Sequence, residues 1–396
     1  MLLALSGCTG AYSQGLTMDS LIRMGIRSNP DLLVSRGEGE AVASDTLAAS
    51  ATKNPDLSFE AGYNVTDPSK PKAIVRLSQE FQPGLRSNQS RVSKASLATS
   101  LQSQKSRELE TILDIRSAYF TWQILNRKKA LQAEVEKRWE VLSRIASAKM
   151  KEGRLSQVDE AQARLNRARA RQKEMQFQAE MESVENRLAF LTGRKEIEDS
   201  LAAYPIDSPP EVLPLDSLAK WVTGENSDLK MLELEIETQR RKIGLEKSLQ
   251  NPPFTVSLGY DKETDGNQVL GGGLEVSIPL FNRNLAGLAK SRAELRLAES
   301  RKASAEARLK TEIAELHARL VRLTERYQSY RSEIRPLSGK QLELSEKGFL
   351  QGLLGIFELS RVQEEFLSQE LDALDVLEAF YDQWNRLGKA VGGKTW

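Results

Sequence analysis

NPDLSFEAGY, residues 54–63, and NPPFTVSLGY, residues 251–260, decide how this chain is read. From Asp56 the first stretch alternates, with Leu57, Phe59, Ala61, Tyr63 and Val65 on one side and Ser58, Glu60, Gly62 and Asn64 on the other. A period of two is the mark of a strand with one apolar face. The second stretch does the same with Phe254, Val256, Leu258 and Tyr260. Each leads through a polar turn, Asp67 to Pro71 or Glu263 to Gln268, into a further alternation: Ala73, Val75, Leu77 in one case, Leu270, Leu274, Val276, Ile278 in the other. Strands are therefore predicted over about 56–65, 72–81, 253–262 and 269–279. Each runs to about ten residues, the length a tilted strand needs to cross a bilayer.

Outward from these stretches the chain repeats itself. Asp19-Ser20-Leu21 recurs as Asp216-Ser217-Leu218 and Asp31-Leu32 as Asp228-Leu229, at the same offset of 197 that relates Asn54 to Asn251. Further on, Ser78 matches Ser277, and Gly153 and Asp159 match Gly352 and Glu358, at an offset of 199. Two structural repeats are expected, over 16–200 and 215–396, preceded by a linker with a signal remnant (1–15) and separated by the proline-rich linker 201–214. The rest reads as helix. Ile112, Ile115, Tyr119, Trp122, Val135, Trp139 and Leu142 recur at helical spacing in the first copy. Ile313, Leu316, Leu320, Leu323, Tyr327, Tyr330, Ile334 and Leu337 form a heptad seam in the second, answered by Leu377, Phe380, Trp384 and Leu387. Each copy should end in a long helical hairpin, about 85–192 with its tip near Gly153 and about 285–390 with its tip near Gly352. A helix of that length is a rod of roughly 100 Å. Pro336 falls inside the second hairpin only and predicts a bend there.

Composition narrows the function. A formal net charge of +1, with both signs interleaved, gives no electrostatic case for nucleic acid. No apolar run reaches the length of a membrane helix, so a membrane would have to be crossed by strands. Four strands cannot close a barrel, and lipid does not tolerate an open edge. Other subunits must complete them, and three copies would supply twelve strands. The expected fold is thus mainly α with a membrane β-barrel portion, formed by a trimer.

Three motifs carry a family resemblance. Ser277-Ile-Pro-Leu-Phe-Asn-Arg-Asn284 is similar to the strand-to-helix junction of the heavy-metal branch of the TolC family of outer-membrane factors, with Pro279, Phe281 and Asn282 as its marked residues. Its proline ends the strand, and Asn282 is placed to cap the helix that begins near Leu285. Phe349-x-x-Gly352-x-x-Gly355-x-x-Glu358-Leu359-x-x-x-Gln363 resembles the family's second hairpin tip, and Met150-x-x-Gly153-x-x-Ser156-x-x-Asp159 its first. The resemblance implies a TolC-like fold over nearly the whole chain and no enzyme activity or cofactor. It implies a homotrimer in outer-membrane lipid, a periplasmic membrane-fusion adaptor meeting the tips at Gly153, Ser156, Asp159, Gly352, Gly355 and Glu358, and an inner-membrane RND pump as energy source. Glu358 fits the family's acidic entrance, whereas Arg361 departs from it and Gly355 stands where a serine is usual. The second copy, with Pro336, Glu358 and Arg361, is where an entrance gate is expected.

Other signals have simpler readings. Leu5-Ser6-Gly7-Cys8 has the pattern of a bacterial lipobox, which would make Cys8 a lipid anchor; the alternative is a free cysteine in a signal remnant. Gly388 to Thr395 satisfies the P-loop spelling, but a helix precedes it where a strand is required. His317, the only histidine, sits between Glu315 and Arg319 on a charged helix, which suits a solvated residue and not a metal ligand. The reading is a passive exit duct of a tripartite efflux system, with heavy-metal cations as cargo. Drug efflux and type I secretion remain rival cargoes, and a soluble coiled-coil scaffold is the rival from another class.

Overall fold

The computed structural model describes residues 15–65, 67–197, 201–263 and 265–393. Cys8 lies outside them. The elements run twice in the same order. The first copy is α1 (Met18–Ser28), α2 (Pro30–Ser50), β1 (Asp56–Asn64), β2 (Asp67–Phe81), α3 (Leu85–Lys151) and α4 (Gln157–Thr192). The second is α5 (Leu215–Glu225), α6 (Ser227–Ser248), β3 (Phe254–Lys262), β4 (Gln268–Val276), α7 (Leu285–Ser329), a π-helical turn (Tyr330–Ile334), α8 (Arg335–Gln351) and α9 (Ile356–Ala390). The strand β2 begins earlier than the expected 72, and β4 ends at Val276, short of 279, with Ser277 N–H still donating to Pro253 O.

Compact units cut across the repeat. One gathers Val34–Ser106 and Ser227–Arg308, the other Met1–Leu33, Arg107–Asn226 and Leu309–Trp396. The reason is that elements of the two copies pair with one another. In the first unit the four strands make one antiparallel sheet in the order β1-β2-β3-β4, so the middle ladder joins the copies. Its register carries the alternation across all four strands: Leu57, Leu77 and Leu258 share a row, as do Phe59, Val75, Tyr260 and Leu270. These apolar side chains are exposed. Among the described residues no helix is long and apolar enough to cross a membrane.

The second unit holds the thicker core. Leu21, Ile115, Tyr119, Trp122, Met181 and Leu188 pack together, and Phe120 stacks on Tyr381 at 4.1 Å between ring centroids. The repeat reaches into hydrogen bonding here. Buried Asn29 donates to Leu191 O at 3.0 Å, and its counterpart Asn226 donates to Ala390 O at 2.8 Å. Gly193 and Gly392 follow those helix ends with φ of 69° and 71°, and a Cβ on either would meet the carbonyl oxygen of Ser28 or Glu225 at 2.1 or 2.3 Å. Only glycine suits both the left-handed backbone and the close approach.

The heptad seam of the second copy does not run through as expected. Ile313, Leu316, Leu320 and Tyr327 are buried, but Ile334 and Leu337 are exposed, and Ser338 and Leu342 take the inward positions instead. The π-turn is the cause. Arg335 N–H reaches back five residues to Tyr330 O, which inserts an extra residue into the turn and rotates the following helix. Pro336 has no N–H, and this wider turn is where the helix absorbs it.

Candidate functional site

The two hairpin tips share one backbone design. After α3, Gly153 adopts φ of 70°, its N–H donates to Met150 O, and Arg154 N–H donates to Lys149 O at 2.8 Å. After α8, Gly352 adopts φ of 80°, its N–H donates to Phe349 O, and Leu353 N–H donates to Gly348 O at 2.8 Å. Both are Schellman closures, which satisfy the last carbonyls of a helix through a left-handed residue. Three residues after each glycine, Ser156 and Gly355 open α4 and α9 with almost the same dihedrals, −78°/162° and −79°/161°.

The caps themselves differ. Ser156 Oγ accepts from Asp159 N–H at 3.1 Å while Asp159 Oδ2 accepts from Ser156 N–H at 3.0 Å, a complete capping box. Gly355 has no side chain to offer, and α9 begins without a side-chain cap. Glu358 and Arg361 are exposed in the first turns of α9.

Side chains of the first copy hold the second tip. Trp139, Leu142 and Ala146 of α3 and Ala163 of α4 pack on Phe349, Ile356 and Leu359. Lys149 Nζ donates to Phe349 O and Leu350 O, each at 3.0 Å, and stands 5.1 Å from the Phe349 ring centroid. A cation thus sits on the final carbonyls of α8, where the helix dipole favours it. Buried Asn166 donates to Ser360 Oγ. Around this core Val158, Leu350, Leu353 and Phe357 leave apolar surface exposed at the tips.

Pro336 is not brought together with Glu358 and Arg361. It lies at the start of α8 and they follow its end, with a helix of 17 residues between, about 25 Å of rise. Beside the π-turn is a cavity of about 250 Å³ lined by Tyr327, Tyr330, Arg331, Arg335, Gln363 and Glu370 among others. Here the linker between the copies is clasped. Tyr327 donates its hydroxyl to Asp207 Oδ1 at 3.1 Å, Arg331 donates to Asp207 O, and Arg335 pairs with Glu370 at 2.9 Å. Burial and then the Asp207 charge push the Tyr327 hydroxyl up to about 12, so it remains a donor at neutral pH.

At the strand-to-helix junction Phe281 is 99% exposed and Pro279 is half-buried. The expected cap on Asn282 is displaced. Asn282 Oδ1 accepts from Asn284 N–H, and it is Asn284, at φ of 51°, whose carbonyl takes the first helical bond from Leu288 and whose side chain donates to Glu246. The extra residues let the chain turn before the helix starts, which moves the capping position onto Asn284. Sequence reading also passed over Lys149, Asn166 and Asp207. Their partners lie some 120 to 200 residues away, and nothing in local spacing marks them. Among the described residues no cluster of three or more His, Cys, Asp and Glu side chains could hold a metal ion.

Known proteins share this arrangement. The profile of a family described as outer membrane efflux protein matches residues 21–194 and 220–393, once in each copy. The cobalt-zinc-cadmium resistance protein CzcC of Cupriavidus metallidurans is 31% identical over 150 residues, which is 36% of this chain and 34% of that protein. The aligned part therefore spans about a third of that relative's length. The structure of CusC superposes with a TM-score of 0.82 at 15% identity, over 98% of this chain and 96% of that one. The MtrE outer membrane channel of Neisseria gonorrhoeae, in its open state, gives 0.79 at 17% identity over 95% and 89%. The outer membrane protein VceC of Vibrio cholerae gives 0.77 at 15% over 95% and 96%. At these identities the likeness carries the fold, which is TolC-like.

Proposed function

The chain belongs to the outer membrane efflux protein family, and from that premise we propose that it forms the passive exit duct of a tripartite efflux system whose cargo is heavy-metal cations. It is an outer-membrane efflux channel of a Gram-negative bacterium, reaching into the periplasm, and not an enzyme. Three copies close one barrel of twelve strands. The observation that carries this reading is the sheet. Its exposed apolar face and its two unpaired edges, β1 and β4, are stable in lipid only if another copy pairs with them. Because β1 and β4 run in opposite directions, the β4 of one copy meets the β1 of the next antiparallel, so every junction in the ring is alike.

In this reading a periplasmic adaptor docks on the exposed apolar side chains at the tips, around Gly153, Ser156 and Asp159 and around Gly352, Gly355 and Glu358. An inner-membrane RND pump supplies the energy. The second hairpin moves as the gate, hinged at the π-turn beside Pro336, with Glu358 and Arg361 at the moving end. Cargo rests on the partial match to the cobalt-zinc-cadmium resistance protein and on the junction motif Ser277 to Asn284.

Oligomeric state in detergent tests the duct, with a trimer expected. A protein that is monomeric and water-soluble without detergent would overturn it in favour of a coiled-coil scaffold. Deletion of the chain tests the cargo. Heightened sensitivity to divalent metals is expected, and unchanged metal tolerance with heightened drug sensitivity would replace the cargo and leave the duct.

A further inference from the structure

The two faces of the sheet differ in kind. Opposite the apolar face the register gives three rows: Asp56–Ser78–Ser257–Gly273, then Ser58–Arg76–Gly259–Gly271, then Glu60–Ile74–Asp261–Val269. Nearer the helices, Glu80, Thr255 and Glu275 make a further row, and Gly62 faces Lys72 at the other end. Acids dominate this polar face, with Asp56, Glu60, Glu80, Asp261 and Glu275 set against Lys72 and Arg76.

Arg76 is the exception in the middle of that wall. Its own row holds no carboxylate, since its neighbours are Ser58, Gly259 and Gly271. The side chain is exposed and lies beside Gly259, with Nε 3.9 Å from where a Cβ of that glycine would stand. A Cβ on Gly271 would meet nothing within 4 Å, so the row beside Arg76 is open. Arg76 makes no ion pair among the described residues; Glu80, by contrast, is held by Lys53 at 2.5 Å. An arginine cannot shed its charge to suit its surroundings.

We propose that Arg76 is the charge-selectivity determinant of the strand-lined pore, an electropositive step, one from each copy, in the middle of a predominantly acidic wall. The inference rests on the closed barrel of the proposed function, in which the polar face lines the lumen. The acidic rows on either side concentrate cations, and the arginine step admits small anions and holds back bare multivalent cations at mid-depth. Cations would pass this level most readily with their charge partly offset by an accompanying anion. The glycines beside Arg76 then have a reason: bulk at Gly259 or Gly271 would narrow the pore where the guanidinium groups already project.

Cysteine accessibility in outer membranes tests this without depending on the periplasmic entrance. Gly271→Cys should react with charged methanethiosulfonate reagents added from outside, and Leu270→Cys, on the apolar face, should not; the parent chain's own Cys8 supplies the background. The ratio of anionic to cationic labelling at Gly271→Cys should fall roughly fivefold when Arg76→Gln is added, and Arg76→Lys should restore it. With Arg76 intact, raising the salt concentration should move the ratio toward its fully screened value, a measurement that needs no change at Arg76. A ratio indifferent to both Arg76→Gln and salt, at a position that does label, would overturn the role of Arg76 and leave the duct standing. Labelling of Leu270→Cys in place of Gly271→Cys would overturn the assignment of faces, and the barrel reading with it.

Discussion

The two hairpins are built on one backbone plan and secured in different ways. In the first, α3 runs unbroken for 67 residues and α4 starts on a complete capping box. In the second, the ascending helix is interrupted by a π-turn at Tyr330–Ile334 and α9 starts on a bare glycine. The dihedrals at Ser156 and Gly355 are nearly the same, so at the tips the difference lies in side chains and not in the path of the chain. The two copies share the tip geometry, and one of them lacks the local support of a side-chain cap. What the second tip lacks of its own it receives from the first, through Lys149 and the packing on Phe349. A hairpin held by a neighbour can be released by displacing that neighbour, which suits a moving part.

The comparison can be broken first where the copies are equal. Gly193→Ala and Gly392→Ala each place a Cβ against a carbonyl oxygen at positive φ, and each should cost several kcal/mol. Thermal unfolding in detergent should show two losses of similar size; a loss confined to one would mean that the copies differ at their roots as well as their tips. Next, Lys149→Met removes the cation from the α8 carbonyls while keeping much of the apolar stem. It should loosen the second tip by about 1–2 kcal/mol, seen as faster amide exchange in residues 348–359 and little change in residues 148–160. Equal acceleration at both tips would show that the first also depends on this contact.

Ser156→Ala should cost about 1 kcal/mol and fray the start of α4, read as lost amide protection at Asp159. Smallest of all, Gly355→Ser should add a few tenths of a kcal/mol by giving α9 the cap it lacks, with slower exchange at Glu358 N–H. If it also reduced efflux, measured as lower metal tolerance in cells, the missing cap would be part of the opening mechanism. If efflux were unchanged, the asymmetry that matters would be the π-turn.

Period-two alternation made the strands legible, because a strand's faces are set by neighbours two residues apart and need no knowledge of its partner. The same holds for the tip glycines, since a Schellman closure is completed within six residues. The seam of the second copy was legible only as far as Tyr327. Beyond it the inserted turn shifted the phase, and Ile334 and Leu337, apolar at the expected positions, came to face outward. The junction at Asn282 failed for a related reason: which of two asparagines caps a helix depends on where the chain turns, and Glu246, 38 residues away, holds Asn284.

By itself, then, the sequence determined the repeat, the strands and the paired tips, all of which follow from periodicity and from backbone groups that must find partners nearby. Tertiary structure alone decided that β2 pairs with β3, that Lys149 secures the opposite tip, that Asp207 is clasped by Tyr327 and Arg331, and that Arg76 lies in a row without acids. Each of those depends on groups separated by some 120 to 200 residues. Such pairs are chosen by how the whole chain packs, and local spacing carries no record of them.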